Sequence, residues 1–227
     1  MHRDYYTSKY LSHDIRSHNS DDDIDFPSEW GWFEEWPPRK YTLSVKEEYG
    51  IDLMREFSDC NQYSLLTEFV KVRDTAKVIV EIGVARLTTN FYDHTSTTIL
   101  INNKLDETIY LGIDLDDKSF LNNPEKNVHT LQGSSENFDL VKKKLEDLNI
   151  TSIDFLFVDG WHSVNQVVDE LFYVDLLNVG GIVGYHDTNF HPGPKKIVDA
   201  LNPEIFEVRK HCTLPTDFGI CFATKKC

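Results

Sequence analysis

Short apolar runs that alternate with amphipathic stretches are the feature of this chain that most constrains its fold. Runs that stay apolar over successive positions are typical of strands buried on both faces, as in parallel sheets. The amphipathic stretches between them, such as FDLVKKKLEDL and SVNQVVDELFYVDLL, place apolar residues on one side of a helix. The pattern therefore predicts a parallel sheet with helices on both faces. The runs are VIVEIG (78–83), IYLGID (109–114), NVHTLQG (127–133), IDFLFVDG (153–160) and GIVGYHD (181–187).

The C-terminal part of the chain predicts a different kind of connection. After a short helix at PKKIVDAL, two further strands follow, IFEVRKHC and FGICFAT, with only TLPTD between them. This connection is too short for a crossover helix, so we expect the two strands to form an antiparallel hairpin. The whole pattern predicts an α/β fold with a seven-stranded, mostly parallel sheet and a C-terminal antiparallel hairpin.

The N-terminal segment has a different character. Residues 1–45 show no regular period, and the stretch SEWGWFEEWPP crowds tryptophan and phenylalanine together. Tryptophans at this density are unfavourable in water, so we expect this aromatic arm to pack on the main domain, to pack on a second subunit in a homo-oligomer, or to cover a pocket. Residues 45–72 have helical character and are expected to cap the sheet. The predicted division is an N-terminal arm with capping helices at 1–70 and the α/β domain at 71–227.

Composition excludes several classes of partner. Lys and Arg number 23 against 38 Asp and Glu, and the net charge of −15 disfavours nucleic acid and anionic lipid surfaces. No apolar run approaches the roughly 20 residues needed to cross a bilayer, and MHRDYYTSKYLSHD lacks the apolar core of a signal peptide. We therefore expect a cytoplasmic protein without a membrane partner. Because Cys60, Cys212, Cys221 and Cys227 show no paired spacing, reduced thiols are favoured over a disulfide framework or a zinc site.

The ends of the predicted strands carry the candidate functional residues, because open α/β sheets bind ligands beyond the carboxyl ends of their strands. EIGVAR provides one glycine for a tight turn but neither GxGxxG nor a Walker lysine, so a dinucleotide or nucleoside triphosphate site is disfavoured. A carboxylate such as Asp114 suits ribose hydroxyls, although an acid at a strand end is as often a helix cap. The polar residues at these ends are Glu81, Gly83, Asp114, Gly133, Ser134, Ser135, Asp159, His162, His186 and Asp187.

A family resemblance follows from the motifs EIGVAR, GIDLD, QGSSEN, FLFVDGWHSVNQVVDEL and VGGIVGYHDT. Together they resemble class I S-adenosylmethionine-dependent methyltransferases. More narrowly, the chain is similar to sugar O-methyltransferases of the macrocin and mycinamicin type and to cephalosporin hydroxylase-like proteins. The resemblance extends from about residue 60 to the C-terminus, and its most specific part is DGWHS with VGGIVGYHDT. It implies a Rossmann-like sheet, S-adenosylmethionine as cofactor and a hydroxyl group as methyl acceptor.

The resemblance also implies which residues contact the cofactor. The sequence departs from the family after the first glycine, where Leu87 and Thr88 stand in place of a second glycine and NFYDHTSTTIL is inserted before the next helix. The contacts from Arg86 to Thr98 are therefore not carried over. The implied contacts are Glu81, Gly83, Val84 and Ala85 for the methionine portion, Asp114 with Leu115 for the ribose, Gly133, Ser134 and Ser135 for the adenine, and Asp159 at the end of the fourth strand.

The catalytic chemistry implied by the resemblance involves a metal and a base. Methyl transfer to an alcohol requires loss of the hydroxyl proton, and a divalent cation with a nearby imidazole makes this feasible near neutral pH. Carried over by position, Asp159 and Asp187 are metal ligands and His162 is the base. His186 takes the place of a further carboxylate, and an imidazole suits manganese, iron or zinc better than magnesium. Either His186 is a ligand of a different metal, or it points elsewhere, or no metal binds; Mg²⁺ is the first expectation and Mn²⁺ the second.

The methyl acceptor is the least constrained part of the prediction. Trp161 lies inside the DGWHS motif, and an indole suits the apolar face of a sugar ring as well as a phenol. The leading hypothesis is O-methylation of a sugar or of a glycosylated small molecule. The alternatives are a metal-dependent methyltransferase of the catechol or phenol type, and a non-catalytic binding protein that retains the fold and uses its aromatic arm.

Overall fold

The structure is a computed structural model, and it describes residues 60–84, 95–162, 164–189, 191–213 and 218–227. The aromatic arm and the first part of the predicted capping helices lie outside the described residues, so the arm's role in packing or in a homo-oligomer stays a prediction. Ala85 also lies outside them. The first helix of the described residues, α1 (Cys60–Arg73), extends across the predicted boundary at residue 70.

Seven strands of the described residues form one mixed sheet in the order β3-β2-β1-β4-β5-β7-β6. Strands β1 to β5 pair in parallel, whereas β7 is antiparallel to both β5 and β6. The predicted parallel sheet and the C-terminal hairpin are thereby confirmed. The strands are β1 (Val78–Ile82), β2 (Ile109–Asp114), β3 (Val128–Gln132), β4 (Ile153–Val158), β5 (Leu177–His186), β6 (Phe206–His211) and β7 (Ile220–Lys225).

Helices cover both faces of this sheet. The helix Ser96–Asn103 begins inside the stretch that was expected to be an insertion, because Thr95 caps its first turn. The stretch SVNQVVDELFYVDLL, predicted as one helix, is divided at Glu170. None of the helices among the described residues is long and apolar enough to cross a membrane. After α1 the helices are α2 (Ser96–Asn103), α3 (Phe138–Asp147), α4 (Val164–Asp169), α5 (Leu171–Asp175) and α6 (Pro192–Ala200).

The core lies in two layers, one on each face of the sheet. On one face, Leu66 and Phe69 of α1 pack with Phe155 of β4, and the rings of Phe69 and Phe155 meet edge to face at 5.2 Å. On the other face, Val141 of α3 and Ile197 of α6 belong to a second buried cluster. Each large apolar side chain buried in this way contributes about 1.5–3 kcal/mol. The layers hold the strands in register and thus fix the residues at their carboxyl ends.

The expectation of reduced cysteines is wrong for Cys212. Cys212 follows β6, is 9% exposed and is disulfide-bonded, whereas Cys221 in β7 is buried and free and Cys227 is exposed and free. Spacing along the sequence did not reveal this bond, because a disulfide depends on positions that only the folded chain brings together.

Candidate active site

Gly83 turns the chain at the end of β1 and brings it against the end of β4. Its φ of 81° lies in the left-handed region, which glycine adopts without strain. A Cβ placed on Gly83 would lie 2.1 Å from the carbonyl oxygen of Asp159, so a larger residue does not fit. The backbone N–H of Asp159 donates to the carbonyl of Ile82 at 2.8 Å. The glycine turn therefore packs directly against the strand end that carries Asp159.

Asp114 ties together the loops that follow β1, β2 and β3. Its Oδ2 accepts from the backbone N–H of Val84 at 2.8 Å, and its Oδ1 accepts from the N–H of Asp116 at 2.8 Å. The N–H of Gly133 donates to the Asp114 carbonyl at 2.8 Å. An ionised carboxylate has about four acceptor sites, so both oxygens retain capacity for further donors. Leu115, the next residue, is 70% exposed at the rim.

Glu81 lies underneath this edge of the sheet rather than on it. Its side chain is fully buried, with Oε1 accepting from the Ser96 hydroxyl at 2.5 Å and Oε2 accepting from the Tyr110 hydroxyl. Burial raises the pKa of Glu81 to about 7, although these hydrogen bonds oppose the shift. Both carboxylate oxygens are thus engaged inside the protein, and Glu81 links β1 to β2 and to the start of α2.

The loop after β3 is held from behind by a buried polar network. Ser135 is 3% exposed, and its hydroxyl donates to Oε1 of Glu170 at 2.7 Å. The side-chain amide of Gln166 donates to the Ser135 hydroxyl and to Oε1 of Glu170. The Tyr173 hydroxyl donates to the backbone carbonyl of Ser135 at 2.8 Å. Ser134 caps the following turn by accepting from the N–H of Glu136. This network fixes the loop that the resemblance assigns to the adenine.

Glu170 is a residue of this site that the sequence analysis missed. It is 2% exposed, and burial raises the pKa of its carboxyl to about 7 against the opposing hydrogen bonds from Ser135 and Gln166. The only signal in the sequence is an acid directly beside Leu171 in an apolar helical stripe. Such an acid is usually a solvated residue at the edge of the stripe, so the pattern alone did not identify it.

Two aspartates and three histidines converge beyond β4 and β5. Asp159 follows β4, His186 ends β5, Asp187 follows it, and His191 directly precedes α6. Nδ1 of His186 lies 3.1 Å from Oδ1 of Asp159 and 3.1 Å from Oδ1 of Asp187. Nε2 of His162 lies 3.4 Å from Oδ1 of Asp159 and 3.3 Å from Oδ2 of Asp187. The predicted metal residues and the predicted base are therefore brought together.

Several polar atoms of this cluster are buried without forming hydrogen bonds. Within the described part of the chain, Nε2 of His162, Nδ1 of His186 and Oδ1 of Asp187 have no hydrogen-bond partner despite these short distances. A buried polar atom left in this state costs about 1–3 kcal/mol. One potential metal-ligand atom from each of Asp159, His186 and Asp187 lies within 4.8 Å of the other two. The same holds for His162, Asp187 and His191. A cation between these atoms would satisfy them, so the residues present fit a metal ion.

The charges of the cluster reinforce one another. Burial by itself would raise the pKa of Asp159, but the imidazoles of His186 and His162 outweigh it and hold the pKa well below its usual range. Burial would likewise lower the pKa of His186, but Asp159 and Asp187 raise it well above the ordinary value. The carboxylate of Asp159 is therefore ionised at neutral pH and attracts positive charge.

His191 and Trp161 complete the surroundings of His162. The rings of His162 and His191 lie 4.3 Å apart at 33°, and the backbone N–H of Gly193 donates to the carbonyl of His162 at 3.1 Å. Burial and the neighbouring His162 lower the pKa of His191. Trp161 is 56% exposed, which leaves its indole free to contact a ligand. The start of α6 thus holds His162 in place while Trp161 faces outward.

Comparison with solved structures identifies the fold. The MycE methyltransferase from the mycinamycin biosynthetic pathway, in complex with Mg, SAH and mycinamycin VI, aligns with a TM-score of 0.54 at 16% identity over 83% of this chain. The O-methyltransferase from Bacillus cereus in complex with SAH aligns with a TM-score of 0.52 at 17% identity over 80% of this chain and 87% of its own. The chain therefore has the fold of class I S-adenosylmethionine-dependent methyltransferases.

Other comparisons set the limits of this similarity. The TDP-rhamnose 3'-O-methyltransferase CalS11, an enzyme in calicheamicin biosynthesis, aligns with a TM-score of 0.50 at 15% identity over 72% of this chain and 78% of its own. The chain spans 56% of the length of the MycE methyltransferase. No protein-family model matches the chain, and no curated protein matches it by sequence.

Proposed function

We propose that the protein transfers a methyl group from S-adenosylmethionine to a hydroxyl of a sugar or of a glycosylated small molecule, assisted by a divalent cation. The observation that carries this proposal is the cluster of Asp159, His162, His186 and Asp187, of which Asp159 packs with its backbone against the Gly83 turn. The proposal combines the methyltransferase fold with a set of side chains that fit a cation, next to the turn that is expected to bind the cofactor. The MycE structure, which contains Mg and SAH together, supports this combination.

The residues at the ends of β1 to β3 fit the cofactor. Gly83 makes the tight turn after β1 with a φ of 81°, and Asp114 has spare acceptor capacity for two ribose hydroxyls. Ser135 is held rigidly, so the loop that borders the adenine is preorganised. The bound cofactor would supply an electrophilic methyl group on a sulfonium. Binding, orientation and exclusion of water are the tasks of the protein in this step.

The metal would be held by Asp159, His186 and Asp187. Their donor atoms converge, and the buried Oδ1 of Asp187 lacks a hydrogen-bond partner. A divalent cation there would lower the pKa of an acceptor hydroxyl. Because Asp187 has a φ of 58°, the backbone directly after β5 turns sharply there, in a region that aspartate tolerates better than most residues.

His162 is the proposed proton acceptor. Its Nε2 is buried beside both carboxylates and forms no hydrogen bond, so it is available to accept the proton of an incoming hydroxyl. Its backbone carbonyl accepts a hydrogen bond from Gly193, and its ring packs against the tilted ring of His191. The carboxylates of Asp159 and Asp187 would stabilise the imidazolium that forms.

The experiment that tests the acceptor is a mass-spectrometric methyl-transfer assay with the full chain and S-adenosylmethionine. Nucleotide-linked sugars and glycosylated small molecules form one arm, and catechols and simple phenols form the other. Methylation in the sugar arm supports the proposal, whereas methylation confined to catechols would replace it with the catechol-type reaction. Absence of turnover in both arms, with no binding of S-adenosylhomocysteine, would favour the non-catalytic alternative.

A further inference from the structure

The orientation of His186 is determined by the fold. His186 is the last residue of β5 and pairs with Ile220 of β7. Its ring stacks on Phe218, with the centroids 6.2 Å apart at 29°, and approaches Phe157 at 6.3 Å. The strand pairing and these two rings leave Nδ1 directed at the carboxylates of Asp159 and Asp187. Of the three options that the sequence left open, the one in which His186 points elsewhere does not hold.

The spacing of the donor atoms matches one coordination shell. Bonds from a first-row transition metal to imidazole nitrogen or carboxylate oxygen are about 2.0–2.2 Å long, so two adjacent ligands at a right angle lie about 3 Å apart. Nδ1 of His186 is 3.1 Å from an oxygen of Asp159 and 3.1 Å from an oxygen of Asp187. The distances from Nε2 of His162 to the same two carboxylates are longer, at 3.4 and 3.3 Å.

The chemistry of this donor set differs from that of a magnesium site. Mg²⁺ binds through oxygen and retains water, whereas an imidazole nitrogen is a good ligand for manganese, iron, cobalt and zinc. Here one of the three converging donors is a nitrogen, and that nitrogen is buried and unpartnered. Asp187, which is 8% exposed, likewise directs an unpartnered oxygen into the same space. The set therefore combines one nitrogen with two oxygens.

We infer that the cluster of Asp159, His186 and Asp187 selects a divalent first-row transition metal over Mg²⁺, with Nδ1 of His186 as the ligand that determines the selection. Only the catalytic role of the ion rests on the proposed function. The metal preference itself can be measured without any methyl acceptor.

The test is a titration of the metal-free full chain with Co²⁺, followed by its visible absorption, and a competition with Mg²⁺. We expect one Co²⁺ per chain, retained in an excess of Mg²⁺ of about 100-fold. The variant His186→Glu supplies a third oxygen, and it should reduce the Co²⁺-to-Mg²⁺ affinity ratio by about tenfold or more. His129→Gln changes a histidine in β3, outside the cluster, and should leave the ratio unchanged.

Two outcomes would overturn the inference. One is displacement of Co²⁺ by comparable concentrations of Mg²⁺ in the unchanged protein, and the other is an unaltered ratio in His186→Glu. If that variant does not fold, as judged by circular dichroism, His186→Gln takes its place and must lose Co²⁺ affinity. S-adenosylhomocysteine is titrated into the same samples. Cofactor binding without a metal preference would refute this inference alone, and a metal preference without cofactor binding would refute the proposed function alone.

Discussion

Gly83 and Asp159 approach so closely that a Cβ on the glycine would lie 2.1 Å from the carbonyl oxygen of the aspartate. This contact joins the turn that we propose for the cofactor with the strand end that carries the proposed metal ligands. In the proposed function, the position of the methyl group relative to the cation would therefore depend on two backbone segments in direct contact. A shift of one segment would move both sites, which is why we expect substitutions at Gly83 to affect binding and stability together.

Gly83→Ala should destabilise the protein and weaken binding of S-adenosylhomocysteine. The left-handed φ alone costs about 1–2 kcal/mol for alanine, and the clash with the Asp159 backbone adds to it. Gly180→Ala is the matched control, because its φ is 84° but a Cβ there meets no atom within 4 Å. Urea unfolding and calorimetry measure both effects. If Gly83→Ala and Gly180→Ala lose equal amounts of unfolding free energy and of S-adenosylhomocysteine affinity, the effect comes from the left-handed backbone conformation and not from the contact with Asp159.

His162→Asn should strongly slow methyl transfer while it preserves binding of both the cofactor and the metal. Removal of a general base lowers the rate by about 10²–10⁴-fold, and the three proposed metal ligands remain. Turnover, S-adenosylhomocysteine affinity and Co²⁺ affinity are compared with those of the unchanged protein. If Co²⁺ affinity is lost together with turnover, His162 is a metal ligand and not the base.

Glu68 is the centre of a buried charge network between α1 and β6, on the face of the sheet that α1 covers. It is 1% exposed and accepts from Arg209 Nη2 at 2.8 Å, from Lys71 at 2.8 Å and from His211 at 3.0 Å. Burial would raise its pKa, but the hydrogen bonds from His211, Arg209 and Lys71 outweigh this and lower it from 4.5 to about 2. The network connects α1 to β6.

The stability that Glu68 provides should depend on pH with a defined sign. A carboxyl with a depressed pKa in the folded state stabilises the protein above its unfolded pKa, and this contribution is lost as the pH falls from about 4.5 to about 2. The shift corresponds to about 3 kcal/mol of free energy of unfolding. Glu68→Gln should therefore be less stable than the unchanged protein at pH 7 by about this amount, with a smaller difference at pH 3.

Urea unfolding at several pH values measures this difference. Glu207→Gln serves as the control, because Glu207 also faces Arg209, at 3.5 Å, but its side chain is 68% exposed. It should change the free energy of unfolding by less than about 1 kcal/mol. If the difference in free energy of unfolding between Glu68→Gln and the unchanged protein does not vary with pH, the pKa of Glu68 is not depressed in the folded protein.

The sheet was predictable because burial on both faces imposes apolar character at successive positions. The five apolar runs, which end at Gly83, Asp114, Gly133, Gly160 and Asp187, all correspond to parallel strands whose carboxyl ends meet at one edge. The short connection before FGICFAT was sufficient to predict the antiparallel hairpin. These features depend on local sequence, and the spacing of apolar residues along the chain reflects local sequence directly.

The remaining features depend on contacts between distant parts of the chain. The direction of the His186 ring is set by Phe157 and Phe218, and the burial of Glu170 depends on its hydrogen bond to Ser135. The disulfide bond of Cys212 likewise requires the folded chain. No local pattern encodes such contacts, since the same residue types at the same positions are compatible with a solvated acid, a free thiol or an outward-facing imidazole.

The central claim is that the strand ends bind S-adenosylmethionine, and calorimetric titration of the full chain with S-adenosylhomocysteine tests it most directly. We expect a dissociation constant of about 1–100 μM, and a loss of about tenfold or more in Asp114→Ala. Asp116→Ala, whose side chain is 83% exposed, should bind as tightly as the unchanged protein. Absence of binding, or equal affinities in the two variants, would contradict the account.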